Sequence, residues 1–123
     1  SRAKEITVKR LGSIGPLDPK IATPLSLIIT ELVANAIEHG LATSGTRVDV
    51  VFSRTGSSCS VKIEDDGIGL PENFDMKSSS NLGLQIVRTL TESELKGSLE
   101  ISRSANSNKA VTGTVAQLHF EIR

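Results

Sequence analysis

A chain of 123 residues with 14 basic and 14 acidic side chains, a formal charge of zero and a single cysteine has room for one domain with its own core. The balanced charge gives no global field to draw nucleic acid or an anionic membrane, so neither is an expected partner. Cys59 alone excludes a disulfide framework and permits a reducing compartment, which makes the cytoplasm the expected location. No apolar run approaches the roughly 20 residues needed to span a bilayer, and Ser1-Arg2-Ala3-Lys4 does not lead into a signal-peptide core, so the chain reads as soluble. It begins without Met, and the expectation is a piece cut from something longer.

The opening Glu5 to Leu11 has the pattern of an edge strand. From Thr23 to His39, Leu25, Ile28, Ile29, Leu32, Val33, Ala36 and Ile37 recur with the spacing of an amphipathic helix. Thr23 is the expected cap, Pro24 the first helical residue and Gly40 the left-handed close. Two strands follow as a hairpin across 54–58: Arg47 to Ser53, with Val48, Val50 and Phe52 on one face, and Ser60 to Asp65, with Val61 and Ile63 on one face. The same period of two puts Asp65 on the core side, where an acid needs a partner, and sends Lys62 and Glu64 outward. Asp66 reads as a turn residue.

Pro71 to Ser80 is too polar to bury much surface and reads as a mobile loop. Asn81 is placed to cap a second helix whose inward stripe is expected from Leu82, Ile86, Val87 and Leu90, up to about Glu94. Gly97 breaks the chain before a strand over Ser98 to Ser102. The polar stretch from Arg103 to Gly113 reads as a hairpin loop, and Thr114 to Ile122 as a last strand with Ala116, Leu118, Phe120 and Ile122 inward. These elements predict an α/β (α+β) two-layer sandwich in which helices cover a mixed, largely antiparallel sheet. There is no internal repeat.

The chemistry is concentrated in two runs. In ELVANAIEHG, Glu31 and Asn35 lie four residues apart, so a helix projects them from one face toward a single metal-phosphate group. In VKIEDDGIGL, Asp65 ends a strand and Gly67 and Gly69 let the backbone turn against a flat ligand while the acid accepts a hydrogen bond from it. An isolated Glu-x-x-x-Asn is ordinarily the polar face of an amphipathic helix, and an isolated Asp-Asp-Gly is ordinarily a turn. Their co-occurrence in this order is what turns both into a site.

With the third run, NLGLQIV, the chain resembles the ATPase superfamily shared by gyrase, the large heat-shock chaperones, MutL-type repair proteins and sensor histidine kinases. ELVANAIEH resembles its asparagine box, EDDGIGL its first glycine box and NLGLQIV its second. The short interval between the glycine boxes and the phrase LGLQIVRTL are most similar to the catalytic domain of bacterial two-component sensor histidine kinases, in the PdtaS-like subgroup with its compact ATP lid. The resemblance implies the histidine-kinase-like ATPase fold over residues 1–123. The single ATP-binding catalytic domain is then expected to be the C-terminal part of a longer kinase.

Carried onto this sequence, the resemblance makes Asn35 the Mg²⁺ ligand through its side-chain oxygen, and Glu31 the group that orients or polarises the attacking nucleophile. Asp65 becomes the reader of the adenine amino group, with Gly67, Gly69 and Leu70 beside it. A carboxylate acceptor pairs with that amino group and repels the carbonyl oxygen of guanine. Leu82, Gly83 and Leu84 bring the start of the second helix to the phosphates, where backbone N–H groups and the helix dipole attract anions. Thr114 matches the threonine that supports the adenine-binding acid through a shared water, and is equally readable as an ordinary strand threonine.

The sequence departs from the family pattern in two places. Glu38 stands where many sensor kinases carry a phosphate-contacting lysine; Lys77 in the lid is the replacement candidate, and is equally readable as a solvated loop lysine. Asn81 stands where the second glycine box commonly begins with Gly. His39 reads either as a phosphate contact or as a cap of the helix end.

The implied activity is the binding of Mg-ATP and the donation of its γ-phosphate to a histidine on a separate helical dimerisation and phosphoacceptor domain. A response regulator acts downstream, and this domain itself touches no membrane. Neither His39 nor His119 stands on a helix suited to accept phosphate, so the chain is expected not to label itself. An anti-sigma-factor serine kinase, an ATP-gated clamp and a non-catalytic nucleotide- or partner-binding module are the competing readings. The clamp is disfavoured by the absence of a long dimerising lid and a transducer domain.

Overall fold

The structure, a computed structural model, describes residues 5–41, 45–69, 81–104 and 113–122. Its elements in chain order are β1 (Thr7–Gly12), α1 (Pro19–Asn35), a π turn (Ala36–Gly40), β2 (Arg47–Thr55), β3 (Ser58–Asp65), α2 (Leu82–Ser93), β4 (Ser98–Arg103) and β5 (Thr114–Glu121). The five strands form one sheet in the order β1-β2-β3-β5-β4. β1 lies parallel to β2, and every other pair is antiparallel. β2 and β3 are joined tightly, Thr55 pairing with Ser58 around Gly56 and Ser57, with Gly56 at φ +63°.

Alternation along the strands sorts the residues into two layers. Val48, Val50, Val61, Ile63, Ala116, Leu118 and Phe120 are buried in one cluster with Leu25, Ile28 and Leu32 of α1 and Leu84 and Val87 of α2. Both helices therefore cover the same face, and a two-layer sandwich with a mixed, largely antiparallel sheet results, as expected.

The helix ends and faces differ from expectation in ways the local chemistry explains. α1 begins five residues before Pro24, at Pro19, with Asp18 Oδ1 accepting from the Lys20 N–H at 2.9 Å. Asp18-Pro19 and Thr23-Pro24 carry the same start signature, and the earlier one wins because Pro24 forfeits only one hydrogen bond near the helix start while burying its ring. At the other end α1 widens, and the Leu41 N–H reaches back five residues to the Ala36 carbonyl at 2.9 Å.

The segment Pro19–His39 is thus 21 residues long and contains an 18-residue window with a mean hydropathy of 1.4, long and apolar enough to cross a membrane by length and composition. The expectation that no such run exists is corrected. Here Leu25, Ile28, Leu32 and Ala36 of that segment are packed in the core over the sheet, the arrangement of a core helix.

In α2 the inward stripe is Leu84, Val87 and Thr91, not one through Leu82 and Ile86, which are 72% and 43% exposed. Because α2 packs both on α1 and toward the sheet, its buried face is rotated from the one that apolar residues alone mark. The turn out of α2 is made at Lys96, with φ +55°. Gly97 then runs so close to the His119 carbonyl that a side chain there would collide with it.

Candidate functional site

Asp65 ends β3, the middle strand of the sheet, paired on one side with Val48 and on the other with Thr114. Its inward phase leaves it 5% exposed, as the alternation of β3 predicts. The buried carboxylate is met by main-chain donors. Its Oδ1 accepts from the Gly67 N–H at 2.9 Å, and the Thr114 N–H also donates to it. Burial pushes the Asp65 carboxyl above its ordinary range, the two N–H donors pull it back in part, and the negative charges of Asp66 and Glu64 add to the rise.

Two glycines make this corner possible. Gly69, at φ +80°, turns the chain against the Gly113 carbonyl. Gly113, at φ +155°, lies on the Asp65 carbonyl so closely that a side-chain carbon would overlap it. Gly113 was not singled out from the sequence. Its signal was its place immediately before the strand residue that pairs with Asp65. The Thr114 backbone N–H faces the Asp65 carboxylate and lowers its pKa.

Asp66 does more than turn the chain. Its Oδ1 accepts from the N–H groups of Thr46 and Arg47, both at 2.9 Å, and its own N–H donates to the Arg47 carbonyl at 3.3 Å. The start of β2 is thereby fastened to the end of β3. Glu64, expected to be solvated, instead accepts from Ser104 Oγ at 2.6 Å.

The second group of residues lies between the helices. α1 and α2 pack together, and this brings Glu31 and Asn35 of α1 to the N-terminus of α2. Glu31 Oε2 lies so near Gly83 that an added side-chain carbon there would stand 2.7 Å from it. Asn81 caps α2, its Oδ1 accepting from the Leu84 N–H at 3.0 Å, while its Nδ2 donates to Asn35 Oδ1 at 3.2 Å. Asn35 Nδ2 is buried without a hydrogen-bond partner.

The Leu84 N–H is therefore taken by the cap. Those of Leu82 and Gly83 remain ahead of the first intrahelical bond, which runs from the Gln85 N–H to the Asn81 carbonyl at 3.2 Å. The Leu82 side chain is exposed and Leu84 is core. His39 is exposed in the π turn, which packs against β3, the strand that ends in Asp65. Leu70 and Lys77 lie outside the described residues.

Among the described residues no three His, Cys, Asp or Glu side chains stand close enough to hold a metal ion together. The Asn35 oxygen, with the Glu31 carboxylate one turn earlier on α1, is a donor set that suits Mg²⁺. That ion takes few protein ligands and fills its octahedron with water and phosphate oxygens.

Residues 20–123 match the family described as histidine kinase-, DNA gyrase B- and HSP90-like ATPase. The sensor histidine kinase PdtaS of Mycobacterium tuberculosis (strain ATCC 25618 / H37Rv) is 46% identical over 98 residues, which cover 78% of this chain and 20% of that protein. Blue-light-activated histidine kinase 2 of Erythrobacter litoralis is 31% identical over 100 residues, covering 80% of this chain and 27% of that one. The chain thus spans about a fifth to a quarter of the length of these curated relatives. Among solved structures, the histidine kinase domain of the Erythrobacter litoralis EL346 blue-light activated histidine kinase superposes with a TM-score of 0.80 at 27% identity, over 95% of this chain and 55% of that one. The catalytic domain of the histidine kinase ThkA shares the fold with a TM-score of 0.70 at 20% identity, over 94% of this chain and 77% of that one. The match over most of the chain, together with the paired Glu31 and Asn35 and the buried Asp65, establishes that this protein belongs to the histidine kinase-, DNA gyrase B- and HSP90-like ATPase family.

Proposed function

We propose that this chain is the catalytic domain of a longer sensor histidine kinase, that it binds Mg-ATP, and that it donates the γ-phosphate to a histidine on a separate helical dimerisation domain. The observation that carries the reading is the buried Asp65 carboxylate at the end of β3, held by main-chain donors on a strand against which the π turn that follows Glu31 and Asn35 packs. An acceptor-only group in that position selects an amino-bearing base, hence adenine over guanine.

At the phosphate end, Asn35 offers a neutral oxygen to Mg²⁺, which supplies charge neutralisation along the triphosphate. Glu31, half-buried against Gly83, is placed to orient the attacking nitrogen, and the free N–H groups at the start of α2 favour phosphate oxygens. Phosphoryl transfer asks mainly for positioning and charge stabilisation, and these residues provide both. Lys77, Leu70 and His39 complete the proposed nucleotide contacts.

In this reading residues 1–123 form one cytoplasmic domain. Its partners are ATP, the phosphoacceptor domain and, downstream, a response regulator, with no nucleic acid and no membrane contact of its own. His39 in the π turn and His119 in β5 are both exposed, and neither lies on a regular α-helix. The chain alone therefore binds nucleotide without acquiring phosphohistidine.

Calorimetric titration with ATP and GTP, each with and without Mg²⁺, beside Asp65→Asn, tests the assignment. Magnesium-assisted ATP binding that is much tighter than GTP binding and is weakened roughly 30-fold in Asp65→Asn is expected. Equal binding of ATP and GTP, or acid-labile and alkali-stable phosphate on the isolated chain, contradicts it.

A further inference from the structure

We infer that Asn81 is a positioning residue for the magnesium ligand: its side-chain amide holds Asn35 with the oxygen oriented for the cation. The inference deepens the Mg-ATP reading and rests on it. Asn81 makes two bonds with the two ends of one carboxamide. Its Oδ1 accepts from the Leu84 N–H at 3.0 Å, which fixes the plane of the group at the N-terminus of α2. Its Nδ2 is thereby aimed across the helix pair and donates to Asn35 Oδ1 at 3.2 Å.

The orientation of Asn35 follows from this donor. Its two carboxamide ends have the same shape and opposite polarity, so rotation about the last side-chain bond exchanges oxygen for NH₂. Rotating it here would set NH₂ against NH₂. The observed orientation gains the bond to Asn81 even though it leaves Asn35 Nδ2 buried without a partner. A buried amide left unpaired is costly, so the contact with Asn81 is what holds this arrangement. An amide oxygen has two acceptor sites, and Asn81 occupies one, leaving the other for the cation. This is the relation by which outer groups fix the orientation of metal ligands.

A hydrophobic or glycine residue at position 81 would leave the Asn35 carboxamide free to rotate. Asn81 therefore has a use beyond the helix cap, and the two uses separate experimentally. Asn81→Ser keeps a good capping oxygen and removes the amide donor, while Asn81→Ala removes both.

The test is titration of the folded chain with ATP in Mg²⁺ and in EDTA, with thermal midpoints measured on the same samples. In Asn81→Ser the magnesium-dependent gain in ATP affinity is expected to fall about tenfold or more, with affinity in EDTA and the thermal midpoint close to wild type. Asn81→Ala is expected to lose the same gain and in addition to melt earlier. An unchanged or larger magnesium gain in Asn81→Ser overturns the inference, as does an equal loss with and without Mg²⁺. A wild-type chain that binds ATP with no magnesium gain overturns the Mg-ATP reading itself, and this inference with it.

Discussion

The two ends of the site are built by different means. Among the described residues the groups that meet Asp65 are main chain: Gly67 and Thr114 present N–H groups, Gly113 presses on the Asp65 carbonyl, and the ladder with β2 and β5 sets the position. Between α1 and α2 the contacts are side chain to side chain or side chain to helix terminus, with one amide left buried and unpaired. In the proposed reading the first end is a fixed mould for a flat, hydrogen-bonding base. The second is a set of oriented groups whose geometry depends on how two helices meet, which suits a ligand whose charge is shared with a metal and which must leave in pieces.

Substitutions should break the sheet end mainly by destroying its shape. Gly113→Ala places a side-chain carbon into the Asp65 carbonyl at a left-handed backbone, and a loss of about 3 kcal/mol in unfolding free energy is expected from denaturant titration. Asp65→Asn keeps an acceptor for Gly67 and removes the charge that selects adenine. ATP affinity should fall by about 2 kcal/mol, roughly 30-fold, in calorimetry while the fold is retained. Asp66→Ala leaves the N–H groups of Thr46 and Arg47 without their acceptor, and a smaller destabilisation of about 1.5 kcal/mol is expected, measurable by the same unfolding experiment.

The pH dependence sharpens the contrast with the smallest effect. Because the carboxyl of Asp65 is raised in the folded chain, between the ordinary Asp value of about 3.9 and its raised value the native state holds a proton that the unfolded state has lost. The contribution of Asp65 to stability is therefore present at the acid end of that window and lost as pH rises through it. ATP affinity should move the opposite way, weakening as pH falls into the window, because recognition of the amino group needs the ionised carboxylate. In Asp65→Asn both slopes should flatten, which unfolding curves and titrations at a series of pH values check.

What could be read from the chain follows the same division. The burial of Asp65 was legible because period-two alternation along Val61, Ile63 and Asp65 is a local property of β3. Gly113 could not be valued without knowing that β5 pairs with β3 and sets it on the Asp65 carbonyl. Among the helices, Asn81 was legible as a cap, since capping is local, whereas its bond to Asn35 spans 46 positions and depends on the packing of α1 on α2. The same packing rotated the buried face of α2 away from Leu82 and Ile86. Two equivalent Pro-containing start signals hid the true beginning of α1, and no residue pattern announced the π turn that carries His39.

The most direct measurement is titration of the wild-type chain and of Asn35→Ala with ATP in the presence of Mg²⁺ and in EDTA. If Asn35 supplies the metal ligand of a single Mg-ATP site, magnesium strengthens binding to the wild type and the gain disappears in Asn35→Ala, while the weaker magnesium-free binding set by Asp65 persists in both. A magnesium gain of the same size in Asn35→Ala would contradict the account.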